Sequence, residues 1–105
     1  TENEFEETLS TMNIVKFKVK PDCLKNYMEA LNNQPSWKGN IEGKTIQTGD
    51  NTFCSYGLWE SKDAMETEMD SMVAWLDTVR DLLEEISPEL GVTDPVSGPV
   101  IWEKK

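Results

Sequence analysis

The segment YGLWESKDAMETEM, residues 56–69, joins the end of a strand to the beginning of a long helix. Trp59 ends the strand, and Ser61 is a suitable N-cap because its hydroxyl can accept a hydrogen bond from the first helical turn. Behind this cap, apolar residues recur at alternating steps of four and three, which is the spacing of one helix face. They are Met65, Met69, Met72, Leu76, Val79, Leu83 and Ile86.

Two further signals bound and divide this helix. Pro88 and Gly91 do not favour its continuation, so they are predicted to end it. Asp70 and Ser71 are cap residues in its middle, so the helix is predicted to restart there.

The chain before this segment also alternates between strand and helix patterns. From Asn13, the apolar residues alternate with lysines at the period of a half-buried strand: Val15, Phe17 and Val19 against Lys16, Lys18 and Lys20. Asp22 can cap a helix with one apolar face, formed by Leu24, Tyr27, Met28 and Leu31. Residues 41–48 and 52–60 then read as two strands joined by TGDN, a turn in which glycine and asparagine accept positive φ.

A last strand is predicted at residues 96–103, and Pro95 and Pro99 favour a sheet edge or a bulge for it because proline donates no ladder hydrogen bond. The order strand, helix, strand, strand, helix, strand is that of the ferredoxin-like α+β fold, an antiparallel four-stranded sheet with two helices on one face. We expect an acidic, flexible arm at residues 1–10 and a single domain at residues 11–105.

Composition excludes several classes of partner. The formal net charge of −10 disfavours nucleic acid and anionic membrane surfaces, which require lysine and arginine. No apolar run approaches the roughly 20 residues of a membrane span, and no export signal is visible. Cys23 and Cys54 form no C-x-x-C pair, so we expect reduced thiols in a cytoplasmic protein, with a disulfide as the minority alternative.

Both faces of the third strand carry large apolar side chains. Cys54, Tyr56 and Leu58 alternate with Phe53, Ser55, Gly57 and Trp59. If helices cover one face, the other exposes an apolar patch larger than monomers usually carry. The sequence therefore predicts that a second copy covers it. The strand lysines conflict with this arrangement unless they reach the rim or pair with carboxylates such as those of Glu42 and Glu60.

The element order, the junction LWESKDAM at residues 58–65 and DPVSGPVIWE at residues 94–103 resemble antibiotic biosynthesis monooxygenase-like domains of the dimeric α+β barrel superfamily. The resemblance covers roughly residues 12–103 and implies a homodimer with a small apolar cavity between sheet and helices. It also implies oxidation of an aromatic metabolite by O2 without cofactor or metal.

The resemblance further implies catalytic roles for Trp59 and Arg80. Where the family places an asparagine and a tyrosine, this chain has Ser55 and Met65. Relatives that degrade haem hold its iron through a histidine. This chain has no histidine, so we expect no haem chemistry and no histidine-dependent nucleophile or metal site.

Each candidate residue also has a structural interpretation. Trp59 can fill the core or a dimer contact, and Arg80 can pair with Asp77 or Glu84 at the surface. The predicted substrate-binding residues can be core or interface residues as well: Trp37, Tyr56, Met65, Met69, Met72 and Trp75. For Asn13, a solvent position at the strand edge is the preferred interpretation.

Two functions remain open from sequence. The first is a dimeric monooxygenase-like protein that binds a small apolar or aromatic metabolite. The second is a non-catalytic dimeric ligand-binding or interaction module whose apolar surfaces all serve assembly.

Overall fold

The computed structural model describes residues 9–104, so the predicted acidic arm lies almost wholly outside the described residues. The strands are β1 (Thr11–Lys18), β2 (Asn40–Gln47), β3 (Thr52–Trp59) and β4 (Thr93–Pro99). The helices are α1 (Leu24–Asn32), α2 (Lys62–Thr67) and α3 (Met69–Val79). Short 3₁₀ turns precede α1 at Pro21–Cys23 and follow α3 at Arg80–Leu82.

The four strands form one antiparallel sheet in the order β2-β3-β1-β4. This arrangement confirms the predicted ferredoxin-like α+β fold. β4 lies at an edge, as its prolines predict, because Pro95 and Pro99 pair with β1 on one side only.

The main core lies between the sheet and the helices α1 and α3. Phe17 stacks on Phe53 at 5.7 Å between ring centroids and packs against Tyr27 of α1 at 5.2 Å. Val19, Val79 and Leu83 complete this buried cluster. The alternation of β1 therefore points its odd-numbered residues toward the helices, as the sequence predicts.

The second helical region differs in two ways from the prediction. It divides at Glu68, which ends α2 and begins α3, whereas the prediction placed the new cap at Asp70 and Ser71. It also ends at Val79, earlier than Pro88. Leu83 is buried, but it is extended and bridges Val19, so its place in the apolar spacing does not reflect helix.

Two local details of the strands also differ from expectation. The β2–β3 hairpin forms, but the positive φ angles among the described residues belong to Gly39 and Gly91, so TGDN turns without the left-handed backbone that we predicted. β4 begins and ends three to four residues earlier than predicted. Ile101 and Trp102 consequently lie beyond the strand and are exposed.

Within residues 9–104, no helix has the length and apolar character needed to cross a membrane.

Candidate functional site

The sheet has two faces with different surroundings. We call the face that packs on α1 and α3 the helix side and the opposite face the open face. On the helix side, Thr11, Asn13, Val15 and Phe17 of β1 lie opposite Trp59, Gly57, Ser55 and Phe53 of β3. On the open face, Met12, Ile14, Lys16 and Lys18 lie opposite Leu58, Tyr56, Cys54 and Thr52.

Trp59 is buried on the helix side with 1% of its surface exposed. Its indole Nε1–H donates a hydrogen bond of 2.7 Å to Oδ1 of Asn13 in the neighbouring strand. Asn13 therefore lies inward, and the expectation of a solvent position at the strand edge was wrong. The bond fixes the carbonyl of the asparagine on the indole and directs its NH2 group away from it.

Gly57 makes room for this pair. It lies opposite Asn13 in the sheet, and a Cβ atom on Gly57 would stand 2.7 Å from Asn13 Oδ1 and 3.1 Å from Trp59 Nε1. The first distance is shorter than a Cβ atom tolerates and the second is tight, so any residue larger than glycine would displace the asparagine side chain. Asn40 lies nearby, where its Nδ2 donates to the Leu58 carbonyl at 3.0 Å beside an irregularity of β2.

Small side chains continue along the helix side from Gly57. Gly57 pairs with Gly43 of β2, and Ser55 pairs with Thr45, whose hydroxyl lies 2.6 Å from the serine hydroxyl. Gly43 and Thr45 are exposed, and Ser55 and Gly57 are half-buried. We call these four residues the polar shelf. It leaves part of the helix side uncovered next to Asn13.

The side chain of Arg80 makes its hydrogen bond with Asp77 and not with Trp59 or Asn13. Its Nε donates to Asp77 Oδ1 at 2.6 Å, and the side chain of Arg80 is 43% exposed. The ion pair with Asp77 is the structural alternative that the sequence offered for Arg80. The catalytic role of Arg80 stays a prediction.

The other predicted binding residues do not form one group. Met65 is buried in α2, Met72 is half-buried and Met69 is exposed. Trp75 packs against the main core and contacts Tyr27 edge-on at 6.4 Å. Trp37 is half-buried in the loop before β2, where its carbonyl accepts a bond from the Asn40 N–H.

Tyr56 lies on the open face, on the other side of the sheet from Trp59, so the two cannot line one cavity within a single chain. Burial raises the pKa of the Tyr56 hydroxyl, and so do a hydrogen bond to Glu42 and the charge of that carboxylate, while Lys44 opposes the shift. Glu42 also pairs with Lys44 at 3.5 Å.

Two grooves lie along the open face. One has a volume of about 390 Å³ and is lined by Lys16, Phe17, Lys18, Thr48, Thr52, Phe53, Cys54, Ile86 and Asp94. The other has a similar volume and is lined by Met12, Ile14 and residues 96–102. Neither contains Trp59. We call them the lysine groove and the apolar groove.

The site on the helix side consists of uncharged groups: an indole, amides, hydroxyls and glycines. Such groups can hold a neutral, flat molecule and donate hydrogen bonds to its oxygen atoms, but they supply no strong base. Among the described residues, no group of three or more cysteine and carboxylate side chains is placed to hold a metal ion.

Sequence reasoning considered Asn13 but preferred a solvent position for it, and it missed Gly57 and Asn40. The sequence contained a signal for Asn13. It lies two residues before Val15 and four before Phe17, so its side chain is on the same inward face of β1. Nothing in the sequence indicates that Gly57 lies against Asn13, because that contact depends on the β1–β3 register.

No family model matches the chain, and no curated protein matches it in sequence. Solved structures do match its fold. A variant of SnoaB, a cofactor-independent oxygenase from Streptomyces nogalater, is 11% identical, with a TM-score of 0.66 over 90% of this chain and 95% of that one. A candidate antibiotic biosynthesis monooxygenase from Nitrosomonas europaea is 19% identical, with a TM-score of 0.68 over 93% and 96%.

A dimeric ferredoxin-like protein from an uncultured marine organism is 9% identical, with a TM-score of 0.69 over 95% of each chain. At such identities, the likeness establishes the shared fold.

Proposed function

We propose that the chain is a homodimeric, antibiotic biosynthesis monooxygenase-like protein that binds a small apolar or aromatic metabolite and oxidises it with O2 without a cofactor. The observation that carries the proposal is the hydrogen bond between Trp59 and Asn13 beside the polar shelf. The buried Trp59 N–H requires an acceptor, and here that acceptor is an asparagine amide, which brings an NH2 donor next to the shelf.

The shape and chemistry of the shelf define the class of ligand. Its glycines and small hydroxyl side chains leave space above the strands, which suits a flat ring system. The Asn13 NH2 group can donate a hydrogen bond to a carbonyl or phenol oxygen at the edge of that ring. Because charged groups are absent from the pair and the shelf, a neutral or weakly acidic ligand fits best.

The proposed reaction needs no external reductant. In an aromatic ketone with an activated CH2 group, O2 can convert the CH2 group to a carbonyl, and one water molecule is released. One oxygen atom enters the product, the other leaves as water with both hydrogens, and the substrate supplies all four electrons. The CH2 group would lose its proton to a water molecule, since the site supplies no strong base. The Asn13 NH2 group would stabilise the enolate oxygen that forms, with Trp59 holding the asparagine in place.

Arg80 is assigned the second electrostatic role in this proposal. Its guanidinium is exposed and, among residues 9–104, pairs with the carboxylate of Asp77, so a ligand oxygen with developing negative charge can compete for it. An Asp77→Asn substitution should therefore strengthen binding of weakly acidic ligands if Arg80 contributes.

The fold supports the same assignment. SnoaB is a cofactor-independent oxygenase, and two further structural neighbours are candidate antibiotic biosynthesis monooxygenases. The open face supports the homodimer, because it carries exposed Ile46 and Val96 next to half-buried Ile14, Leu58 and Tyr56. A cytoplasmic location belongs to this proposal.

Binding and oxygen consumption test the proposal together. The purified protein is titrated with phenols, quinones and polycyclic aromatic ketones, and anthrone serves as the oxidation probe. We expect saturable binding, and one O2 consumed for each anthraquinone formed. Asn13→Ala and Gly57→Ala should each weaken binding at least tenfold, because the first removes the donor and the second displaces it.

Gly98→Ala is the matched control, since a Cβ atom at Gly98 has no neighbour within 4 Å. Equal affinity in the wild type, Asn13→Ala and Gly57→Ala would contradict a site at the pair.

The alternative is a non-catalytic dimeric binding or interaction module. Two observations favour it. Trp59 is almost completely buried, and the lysine groove and the apolar groove lie along the open face, away from Trp59. It predicts a folded dimer that binds no member of the panel and consumes no oxygen with anthrone.

A further inference from the structure

The strands of the open face carry more basic than acidic side chains, although the chain as a whole is strongly acidic. Its strand residues include three lysines, Lys16, Lys18 and Lys44, and two carboxylates, Glu42 and Asp94. Since the chain carries a formal charge of −10, two copies repel each other across most surfaces. Charge therefore favours the open face as the surface where a second copy can approach.

Residues 101–103 add an exposed apolar element to this face, beside the apolar groove. The Val100 N–H donates to the Ser10 carbonyl at 2.8 Å, which continues the β4–β1 pairing by one step. Beyond that bond, Ile101 is 82% exposed and Trp102 is 74% exposed, and Glu103 follows them. We call residues 101–103 the tail. An exposed tryptophan next to an exposed isoleucine is unusual for a surface without a partner.

The lysine groove has the chemistry to receive such a tail. Ile86 and Cys54 provide apolar surface, and Lys16 and Lys18 provide two ammonium groups. Ammonium groups bind the faces of indole rings and also pair with carboxylates. Asp94 and the threonine hydroxyls of the groove can accept the indole N–H. The groove thus matches both Trp102 and Glu103.

We propose that the tail of each copy docks in the lysine groove of the other, so that a two-fold dimer has two equivalent contacts. Trp102 is the anchor of each contact. This inference rests on the homodimer of the proposed function and extends it, since it names the contact that holds the two copies together. A closed two-fold contact requires an exposed element and a matching recess on the same surface. The open face carries both: Ile101 and Trp102 are exposed at the apolar groove, and the lysine groove is the recess.

The positions of these two elements agree with a single symmetry axis. The lysine groove lies at the Lys18 end of β1, and the tail lies at the Thr11 end, next to Pro99. A two-fold axis that lies between the two facing sheets, perpendicular to their strands, brings the tail end of one copy over the groove end of the other. The apolar middle of the face, with Ile14, Tyr56 and Val96 in neighbouring strands, then meets its own copy.

This docking also answers the conflict posed by the strand lysines. Lys16 and Lys18 lie on the face that self-association would cover, where unpaired charges would be costly. The Glu103 carboxylate of the partner's tail neutralises one of them, and the Trp102 indole lies against the other.

Sedimentation equilibrium of the full chain tests the anchor. Trp102→Ala should raise the dimer dissociation constant at least tenfold, because loss of a tryptophan that fills a recess of the partner removes a large share of the binding energy. Met28→Ala is the matched control, since Met28 is an exposed apolar residue of α1 on the helix side, and its dissociation constant should equal that of the wild type. Equal association of Trp102→Ala and wild type would overturn the proposal.

Cross-linking tests the contact itself while Trp102 stays in place. In Glu103→Cys, a short bismaleimide should join the new thiol to the partner subunit's Cys54 and give a covalent dimer on a denaturing gel. The dimer should vanish when Cys54→Ser is added. Val73→Cys, on α3, should give no such product with Cys54. A cross-link in Glu103→Cys that persists without Cys54 would contradict the docking.

The outcomes separate this inference from the proposed function. A dimeric wild type that keeps its association in Trp102→Ala, with no cross-link to Cys54, overturns the docking and leaves the homodimer standing. A wild type that is monomeric at all concentrations overturns both. Binding at Asn13 and Trp59 is measured independently, because those residues lie on the other face of the sheet.

Discussion

Trp59 and Asn13 each place a polar atom on the helix side of the sheet, and each provides the partner of the other. The Trp59 side chain is 1% exposed, so its N–H would have no water to bond if the asparagine were absent. A buried donor without an acceptor costs about 1–3 kcal/mol, more than a made hydrogen bond contributes. The pair is therefore a stability feature as well as a candidate ligand site.

This reasoning gives a prediction for Asn13→Ala. The free energy of unfolding should fall by about 1–3 kcal/mol, since the indole N–H loses its acceptor. In Trp59→Phe, which lacks that N–H, the same Asn13→Ala change should cost clearly less. Urea unfolding of the two single variants and the double variant measures the coupling. Costs that add without coupling would contradict the importance of the bond.

Tyr27 gives a second prediction, on pH. Burial raises the pKa of its hydroxyl from the ordinary 10.0 to about 12. A raised pKa in the folded state means that the folded protein holds this proton more tightly than the unfolded chain. The associated stability is complete below pH 10 and is lost as the pH rises from 10 to 12.

The size of that loss follows from the shift, about 3 kcal/mol at most. Tyr27→Phe has no such proton, so its free energy of unfolding should fall less than that of the wild type between pH 9 and pH 12. Urea unfolding at both pH values measures the difference. Parallel losses in the two proteins would show that the hydroxyl of Tyr27 does not contribute.

At the scale of elements, the strands were more predictable than the second helical region. The alternation of residue types predicts directly which face of the sheet each side chain of β1 and β3 lies on, because a strand side chain can point in only two directions. The apolar spacing from Met65 to Ile86 predicts a helix to Ile86, but the 3₁₀ turn Arg80–Leu82 ends it and Leu83 is buried through a bridge to Val19. A spacing of three or four residues cannot reveal when burial comes from an extended segment.

The start of α2 provides the matching prediction. The Ser61 hydroxyl accepts a hydrogen bond of 3.1 Å from the Ala64 N–H, so Ser61→Ala should lower the free energy of unfolding by about 1 kcal/mol. Ser71, which the sequence suggested as a second cap, lies inside α3, so Ser71→Ala should change it by less than about 0.5 kcal/mol. Thermal or urea unfolding compares them, and equal losses would contradict the observed helix boundary.

For the whole molecule, the sequence predicts the fold well and the site poorly. Element order and alternation suffice for a ferredoxin-like sheet with helices on one face. The site depends on register: Asn13 meets Trp59 and Gly57 only because β1 and β3 pair at those positions. Arg80 shows the converse, since the family resemblance implies a catalytic role while its side chain pairs with Asp77.

The two faces divide the proposed work of the molecule. The helix side carries the uncharged pair and shelf for a ligand, and the open face carries the grooves and the tail for a second copy. Variants on one face should therefore leave the measurement on the other unchanged.

The most direct test of the central claim follows the indole N–H signals of the four tryptophans by nuclear magnetic resonance during a titration with anthrone. Trp59→Phe assigns its signal. The account predicts a saturable shift of the Trp59 signal that is lost in Asn13→Ala, with no shift of the Trp102 signal. An unshifted Trp59 signal in a folded protein, at every anthrone concentration up to its solubility limit, would contradict a ligand site at the pair.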